Sequence, residues 1–288
     1  MAREALSNYI RSFNAKAMVW DRDGLDTDAS TTVYRDGLHR AHAKEIKADN
    51  PTHYWKFNEA ASPIIDYGSG GKNLTEAGSP AYQQTGSEGL ADAIVGDGST
   101  DYFTSSLVFN PSIFTWECIV NATSSNDAIF DGRDANNDGL YIQTAASTTT
   151  FFCSATDMVT TTNILGAFHH LALTADGTNL RLFVNGIQED STTSFSAQLD
   201  VTASAEIMRN RLSSAKFMAG TMQHMALWTS TALSNQRVLD HAISALRLTD
   251  ADLQGDPSLN PKSGYKMLAL DGTGDYASIG SKAWQHFS

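Results

Sequence analysis

Cysteine is nearly absent from this chain: Cys118 and Cys153 are the only two. That excludes a multi-cysteine disulfide framework. Each cysteine lies in an alternating apolar run and reads as a small buried hydrophobe, with a bridge between neighbouring strands left open. No stretch approaches the roughly 18 consecutive apolar residues of a membrane helix. The opening "MAREALSNYI" lacks the apolar centre of a secretory signal. The expectation is therefore a protein made in the cytoplasm, without membrane insertion and without a standard export signal. Charge is also scarce, at 18% of residues, and cations are its smaller part. The net charge is −12, which argues against nucleic acid as a partner, because phosphates would be repelled. His-Glu-x-x-His, Gly-x-Ser-x-Gly and Walker-type loops are all missing, so no metalloprotease, serine-hydrolase or nucleotide-binding signature is present.

What is present suits β structure. Apolar residues make up 41% of the chain, enough for a core, and the rest is rich in Ser, Thr, Asn and Gly, the residues of polar turns. The charge is uneven. Residues 1–56 hold nine Lys/Arg against eight Asp/Glu, whereas residues 57–288 hold 11 against 24. A near-neutral head on an acidic body suggests two tasks.

In the head, Leu6, Tyr9, Ile10 and Phe13 fall on one face of a short helix, and residues 35–48 are weakly helical until "DNP" at 49–51 stops them. From Tyr54 onward the period changes to two. In "SIFTWECIV" (112–120), Phe114, Trp116, Cys118 and Val120 share one face. "FHHLALTADGTNLRLFVNG" (168–186) reads as two strands about an Asp-Gly turn, with Asn185-Gly186 opening the next. "GTMQHMALW" (220–228) is a further strand. "LSNQRVLDHAISAL" is the clear helix of the body, with Ser234 as its N-cap. Residues 249–264 have linker composition, and the end of the chain is strand-like again. One internal echo, "DGSTDYFTSS" at 97–106 against "DGTGDYASIG" at 271–280, is too sparse for a repeat architecture.

The stretch "DGRDANNDG" (131–139) raises the question of a cation loop. An EF-hand requires a bidentate acid at its twelfth position, and counting from Asp134 that position is Ala145. The flanking segments read as strands, so an EF-hand is excluded.

Five motifs, in order, resemble the laminin-G-like (pentraxin/concanavalin A-like) jelly roll. They are "ADNPTHYWKFNEAASPIIDYGSGGKNLT" with Trp55, Glu59, Asp66 and Gly68; "AIVGDGSTDYFT"; "FTWECIV"; the 168–186 hairpin, with Phe168 where Trp is usual; and "FMAGTMQHMALWTSTALSNQRVLDH". The likeness spans about residues 48–247. It implies a mainly β, antiparallel two-sheet jelly-roll sandwich over residues 50–247, preceded by a mixed helical arm (1–49) and followed by a linker and strand-bearing tail (248–288). Some such domains hold one structural calcium at the rim, for which Asp131, Asp134, Asn136 and Asp138 are the candidates. Lectins of this architecture stack an aromatic on a sugar, a role open to Tyr82, Tyr102 and Tyr141. Glucanases of the group carry Glu-x-Asp-x-Glu on one strand face. Here Glu117 stands alone on its strand, and Glu88 and Asp92 lie in a Gly-rich loop, so the expectation is not an enzyme. The opening Asp49-Asn50-Pro51-x-x-Tyr54-Trp55 resembles structural proteins of tailed phages. That likeness implies a virion surface protein, a capsid decoration or tail component, whose partners are other virion proteins, copies of itself and a host surface glycan. Leu6, Tyr9, Ile10, Phe13, Trp284 and Phe287 would serve assembly.

Overall fold

A computed structural model describes residues 42–246, apart from 88–91, 155, 196–200 and 214. The anchoring candidates Leu6, Tyr9, Ile10, Phe13, Trp284 and Phe287, and the echo at 271–280, lie outside the described residues.

Two antiparallel sheets form the body. The first runs β13 (Ile187–Thr192), β12 (Leu180–Val184), β11 (His169–Asp176), β6 (Ile113–Ala122), β15 (Ala219–Trp228), β4 (Ala93–Asp97), β3 (Ala81–Gln84), with β1 (His53–Trp55) also paired to β15. The second runs β10 (Thr156–Val159), β9 (Thr149–Cys153), β8 (Leu140–Thr144), β7 (Ala128–Asp131), β14 (Ser204–Ile207), β5 (Tyr102–Val108), β2 (Thr75–Ala77). Among the described residues two helices accompany them, α1 (42–48) and α2 (Asn235–Leu246).

The strand register decides what each face carries, because residues directly opposite across an antiparallel pair point the same way. In the first sheet Leu182, Leu173, Trp116 and Leu227 are successive partners. In the second, Phe151, Ile142, Phe130, Ile207 and Phe103 are. Both rows point inward and all nine side chains are buried in one apolar cluster. Trp116 joins the layers: its ring lies 6.0 Å from Phe130 and 6.0 Å from Phe151. Cys118 and Cys153 are buried on opposite sheets and form no disulfide, which rules out a bridge between neighbouring strands.

The outer row of the first sheet is Phe183, Ala172, Glu117, Ala226 and Tyr54. Both helices cover it. Ala43 and Ile46 of α1 and Val238 of α2 pack with Tyr54, Ala172, Phe183, Ala226 and Trp228 in a second apolar cluster. The arm boundary expected at residue 49 therefore moves: residues 42–49 dock on the sandwich, because the buried face of α1 is what shields the outer row. The α1 stop is as the sequence indicated, with Asn50 at φ 51° just before Pro51.

Local chemistry explains the motifs. Asp97 accepts the main-chain N–H groups of Ser99, Thr100 and Asp101 at 2.8, 2.8 and 3.1 Å around Gly98 at φ 73°. Asp66 accepts those of Tyr54, Gly68 and Lys72 at 2.9, 2.8 and 2.7 Å. Ser234 caps α2, its Oγ accepting from the Arg237 N–H at 3.3 Å. Val184 pairs with Ile187 across the two-residue turn Asn185-Gly186, whose φ angles are 52° and 80°. Gly186 does a second job, because a Cβ there would lie 2.8 Å from Leu239 Cδ1 and 2.9 Å from Leu239 Cα. The hairpin touches α2 only because that position is bare.

Gly186→Ala should therefore strain the turn and lift α2, lowering stability by at least about 1 kcal/mol, read as a leftward shift of a urea melt. An unchanged midpoint would show that the helix does not depend on this contact.

Candidate functional site

The second sheet has an outer face on which no described helix packs. Its central row, again read from register, is Asp157, Phe152, Tyr141, Asp131, Glu206, Thr104 and Thr75, one residue from each strand in spatial order. Aromatic, acidic and hydroxyl side chains thus cross the whole sheet in a single line.

Arginines complete it. Arg133 lies flat on Tyr141, 3.7 Å from the ring centre, and grips Asp131 through Nε at 2.9 Å and Nη2 at 2.7 Å. A planar guanidinium suits both contacts at once. Arg209 stands over Tyr102 at 4.5 Å and 5.4 Å from Phe217, with Nη1 3.5 Å from Glu206. Arg211 donates Nη1 to the Arg133 carbonyl at 3.1 Å, while its main-chain N–H donates to Asp131 at 3.0 Å. Asn210 donates Nδ2 to the Tyr141 hydroxyl at 2.9 Å. Burial raises the Glu206 carboxyl above its ordinary value although Arg209 and Arg211 pull the other way. Burial likewise pushes the Tyr141 phenol up to about 12.

The three tyrosines expected to bind sugar do not form one platform. Tyr141 is only 2% exposed, because Phe152 stacks on it at 5.5 Å and Arg133 covers it, so its role is to hold the arginine. Tyr82 is on β3 of the other sheet, bonded to Glu76 and packed against the core. Tyr102 is half-buried and tilted against Phe217 at 6.0 Å, and it is the tyrosine that borders the row. Phe152, Phe217, Arg209 and Arg211 were missed in the sequence. The alternation of β8 and β9 would have placed Phe152 beside Tyr141, but Phe217 and both arginines lie on irregular segments or isolated bridges, where periodicity gives no signal.

The 131–139 loop is a self-contained turn. Asp131 is fully buried and spent on Arg133 and Arg211. Asp134 Oδ1 accepts the N–H groups of Asn136 at 2.8 Å and Asp138 at 3.1 Å, and Asn137 and Gly139 take φ 67° and 121°. A calcium ion at Asp131 would face a guanidinium, and the oxygen of Asp134 aimed into the loop is already used by amides. The set Asp131, Asp134, Asn136, Asp138 does not fit calcium as arranged. Among the described residues no group of three or more His, Cys, Asp or Glu is placed to hold a metal ion.

Residues 97–239 match the family model described as the concanavalin A-like lectin/glucanases superfamily, and solved structures align over 67–70% of the chain. The fold is a concanavalin A-like jelly roll. The ligand-binding domain of botulinum neurotoxin serotype D, solved with N-acetylneuraminic acid, aligns with a TM-score of 0.56 at 11% identity, covering 70% of this chain and 52% of that one. Domain 4 of AbnA, a GH43 extracellular arabinanase from Geobacillus stearothermophilus solved with arabinotriose, aligns with a TM-score of 0.53 at 20% identity, covering 67% and 98%. The chain spans about half the length of the neurotoxin binding domains it matches. No curated protein sequence matches it. No described helix is long and apolar enough to cross a membrane.

The helix-covered face of the jelly roll holds a second polar cluster. Glu117 is the only acid on its strand, and its partners come from other elements. Its register partners are Ala172 and Ala226, and the space those small side chains leave admits His241 from α2. His241 Nδ1 donates to Glu117 at 3.0 Å and Nε2 donates to Asp49 at 2.9 Å. Asp49 also receives Arg237 at 2.8 Å, and Arg237 reaches Glu45 of α1 at 3.3 Å. His170 Nε2 lies 3.5 Å from Glu117. Burial alone would raise the Glu117 carboxyl, but the His241 and His170 imidazoles hold it well below the usual carboxylate range. Burial would lower His241, but Glu117 and Asp49 hold it above the ordinary imidazole value. Glu117 is 2% exposed and His241 fully buried, so a polymer cannot reach either. The cluster clamps both helices to the sheet.

The sign of its pH dependence follows. The Glu117 contribution is present above the ordinary carboxyl value of 4.5 and lost as pH falls below it. The His241 contribution is present below the ordinary imidazole value of 6.5 and lost as pH rises through its raised folded value. The clamp is therefore fully engaged between those limits. Glu117→Gln should cost about 3–5 kcal/mol and flatten the alkaline decline of the thermal midpoint. A melt as stable as wild type would refute the clamp.

Proposed function

We propose that this chain is a non-enzymatic carbohydrate-recognition module carried as a structural component of a tailed-phage particle, as a capsid decoration or tail-associated protein, facing outward on the virion. The observation that carries the recognition half is the asymmetry of the jelly roll. One outer face is covered by α1 and α2, whereas the other carries aromatic, acidic and hydroxyl residues in one line across seven strands, with arginines from adjoining segments laid over it. Sugars are bound by such mixtures, an apolar ring face for C–H packing with convergent polar groups around it. Solved neighbours of the fold with N-acetylneuraminic acid and arabinotriose agree with this reading. The non-enzymatic half is supported by Glu117 being sealed under α2 and Asp131 being paired to Arg133. Glycosidases need two reachable carboxyl groups roughly 5–9.5 Å apart.

The phage half is supported by the Asp49-Asn50-Pro51-x-x-Tyr54-Trp55 opening and by the apolar positions Leu6, Tyr9, Ile10 and Phe13, which suit burial against other virion proteins or copies of the chain. The calcium-assisted lectin reading is disfavoured because Asp131 and Asp134 are already engaged by Arg133, Arg211 and loop amides, and the recognition proposed here needs no metal.

Two measurements test the proposal. Removing residues 1–41, rather than cutting into α1, should leave a cooperatively folded jelly roll that no longer enters particles in a complementation assay; normal incorporation would overturn the anchoring role. The same truncation should retain glycan-array binding in the presence of EDTA. Loss of array signal on chelation would restore the calcium reading, and release of reducing sugar from array-positive polysaccharide would overturn the non-enzymatic one.

A further inference from the structure

Arginine is unevenly placed. Of the five arginines among the described residues, three, Arg133, Arg209 and Arg211, converge on the outer face of the second sheet. This happens in a chain of net charge −12, and the carboxylates beside them are two, Asp131 and Glu206. Asp131 is saturated, since it receives the Arg133 N–H, Nε and Nη2 and the Arg211 N–H. Glu206 faces Arg209 at 3.5 Å, long for a charge-assisted bond. Among the described residues no carboxylate is in ion-pair contact with Arg211, whose side chain donates only to a carbonyl. The Arg211 guanidinium thus keeps N–H groups that no carboxylate contacts, and Tyr102 and Phe217, both half-buried, flank the neighbouring Arg209.

We propose that this face binds a carboxylated sugar, with Arg211 and Arg209 receiving the carboxylate and Tyr102 and Phe217 packing on the pyranose ring. The inference rests on the carbohydrate-recognition reading above and adds to it the ligand class and the residues. A carboxylate presents two coplanar oxygens to the planar N–H fork of a guanidinium, a match that a sugar hydroxyl does not make. The ring supplies C–H groups that pack on an aromatic face, which is electron-rich. The remaining arginine acts indirectly: Arg133, clamped between Asp131 and Tyr141, fixes the carbonyl that orients Arg211.

The test is calorimetric titration of the full chain with 3′-sialyllactose and trigalacturonate, each against an uncharged counterpart, lactose and galactotriose. The acidic sugar should bind at least tenfold more tightly than its neutral partner. Arg211→Gln should remove that preference, bringing the affinity for the acidic sugar down to that for its neutral partner. The variant keeps the main-chain N–H that Asp131 uses, so the sheet should hold; a matched thermal midpoint checks this, and Phe217→Ala, which should weaken acidic and neutral sugars alike, serves if it does not. Equal binding of acidic and neutral sugars, or an acid preference that survives Arg211→Gln, would overturn this assignment while leaving carbohydrate recognition standing. Binding of none of the four sugars, with binding of an acidic peptide instead, would overturn both.

Discussion

The constraint on which everything else depends is the two-residue period of the strands combined with fixed register. It sorts each sheet into an inward apolar row and an outward row of different character. Trp116 and Phe130 meet between the layers, ring centres 6.0 Å apart and tilted at 59°. A slip of one residue would turn Glu117 into the core and Trp116 towards α2. The same register that builds the core also sets Asp131 beside Tyr141 and Glu206, so the outer row comes with the fold and needs no separate device.

The two outer faces then diverge for electrostatic reasons. On the first sheet, Glu117 lies between Ala172 and Ala226, a charge in a hollow, and a buried charge is tolerated only when paired and hydrogen-bonded. His241, Asp49, Arg237 and Glu45 supply that pairing from two helices, so a costly residue becomes the point where α1 and α2 are tied down. On the second sheet no described helix covers the acid and arginine pairs: Arg133 itself seals Asp131, while Arg209 and Glu206 lie half-buried beside Tyr102 and Phe217. One polar layer is closed and structural; the other is the surface that a ligand can meet.

How much of this was legible in the sequence depends on the range of each signal. The alternation in "SIFTWECIV", the Asp-Gly and Asn185-Gly186 turns and the Ser234 cap are local, and each appears where it was expected. The motif acids were legible as markers of the fold, and Asp66 and Asp97 prove to be ties for loop amides. The candidate site was legible only in part. Tyr102 borders it, but Tyr141 and Asp131 are buried beneath Arg133, and Tyr82 belongs to the other sheet. Exposure of an aromatic depends on what a distant segment lays over it, and Arg209, Arg211 and Phe217 come from irregular chain that carries no period. The same holds for Glu117, the only acid on its strand, whose partners are 53 to 124 positions away in sequence.

The central claim is that the open face of the second sheet, and not the helix-covered face or the 131–139 turn, is the recognition surface. Amide chemical-shift mapping of the full chain against glucuronate, N-acetylneuraminate and lactose tests it most directly. The account expects perturbations gathered on Tyr102, Thr104, Phe152, Glu206, Arg209, Arg211 and Phe217. Perturbations centred on His170 and His241, or confined to residues 134–138, would contradict it.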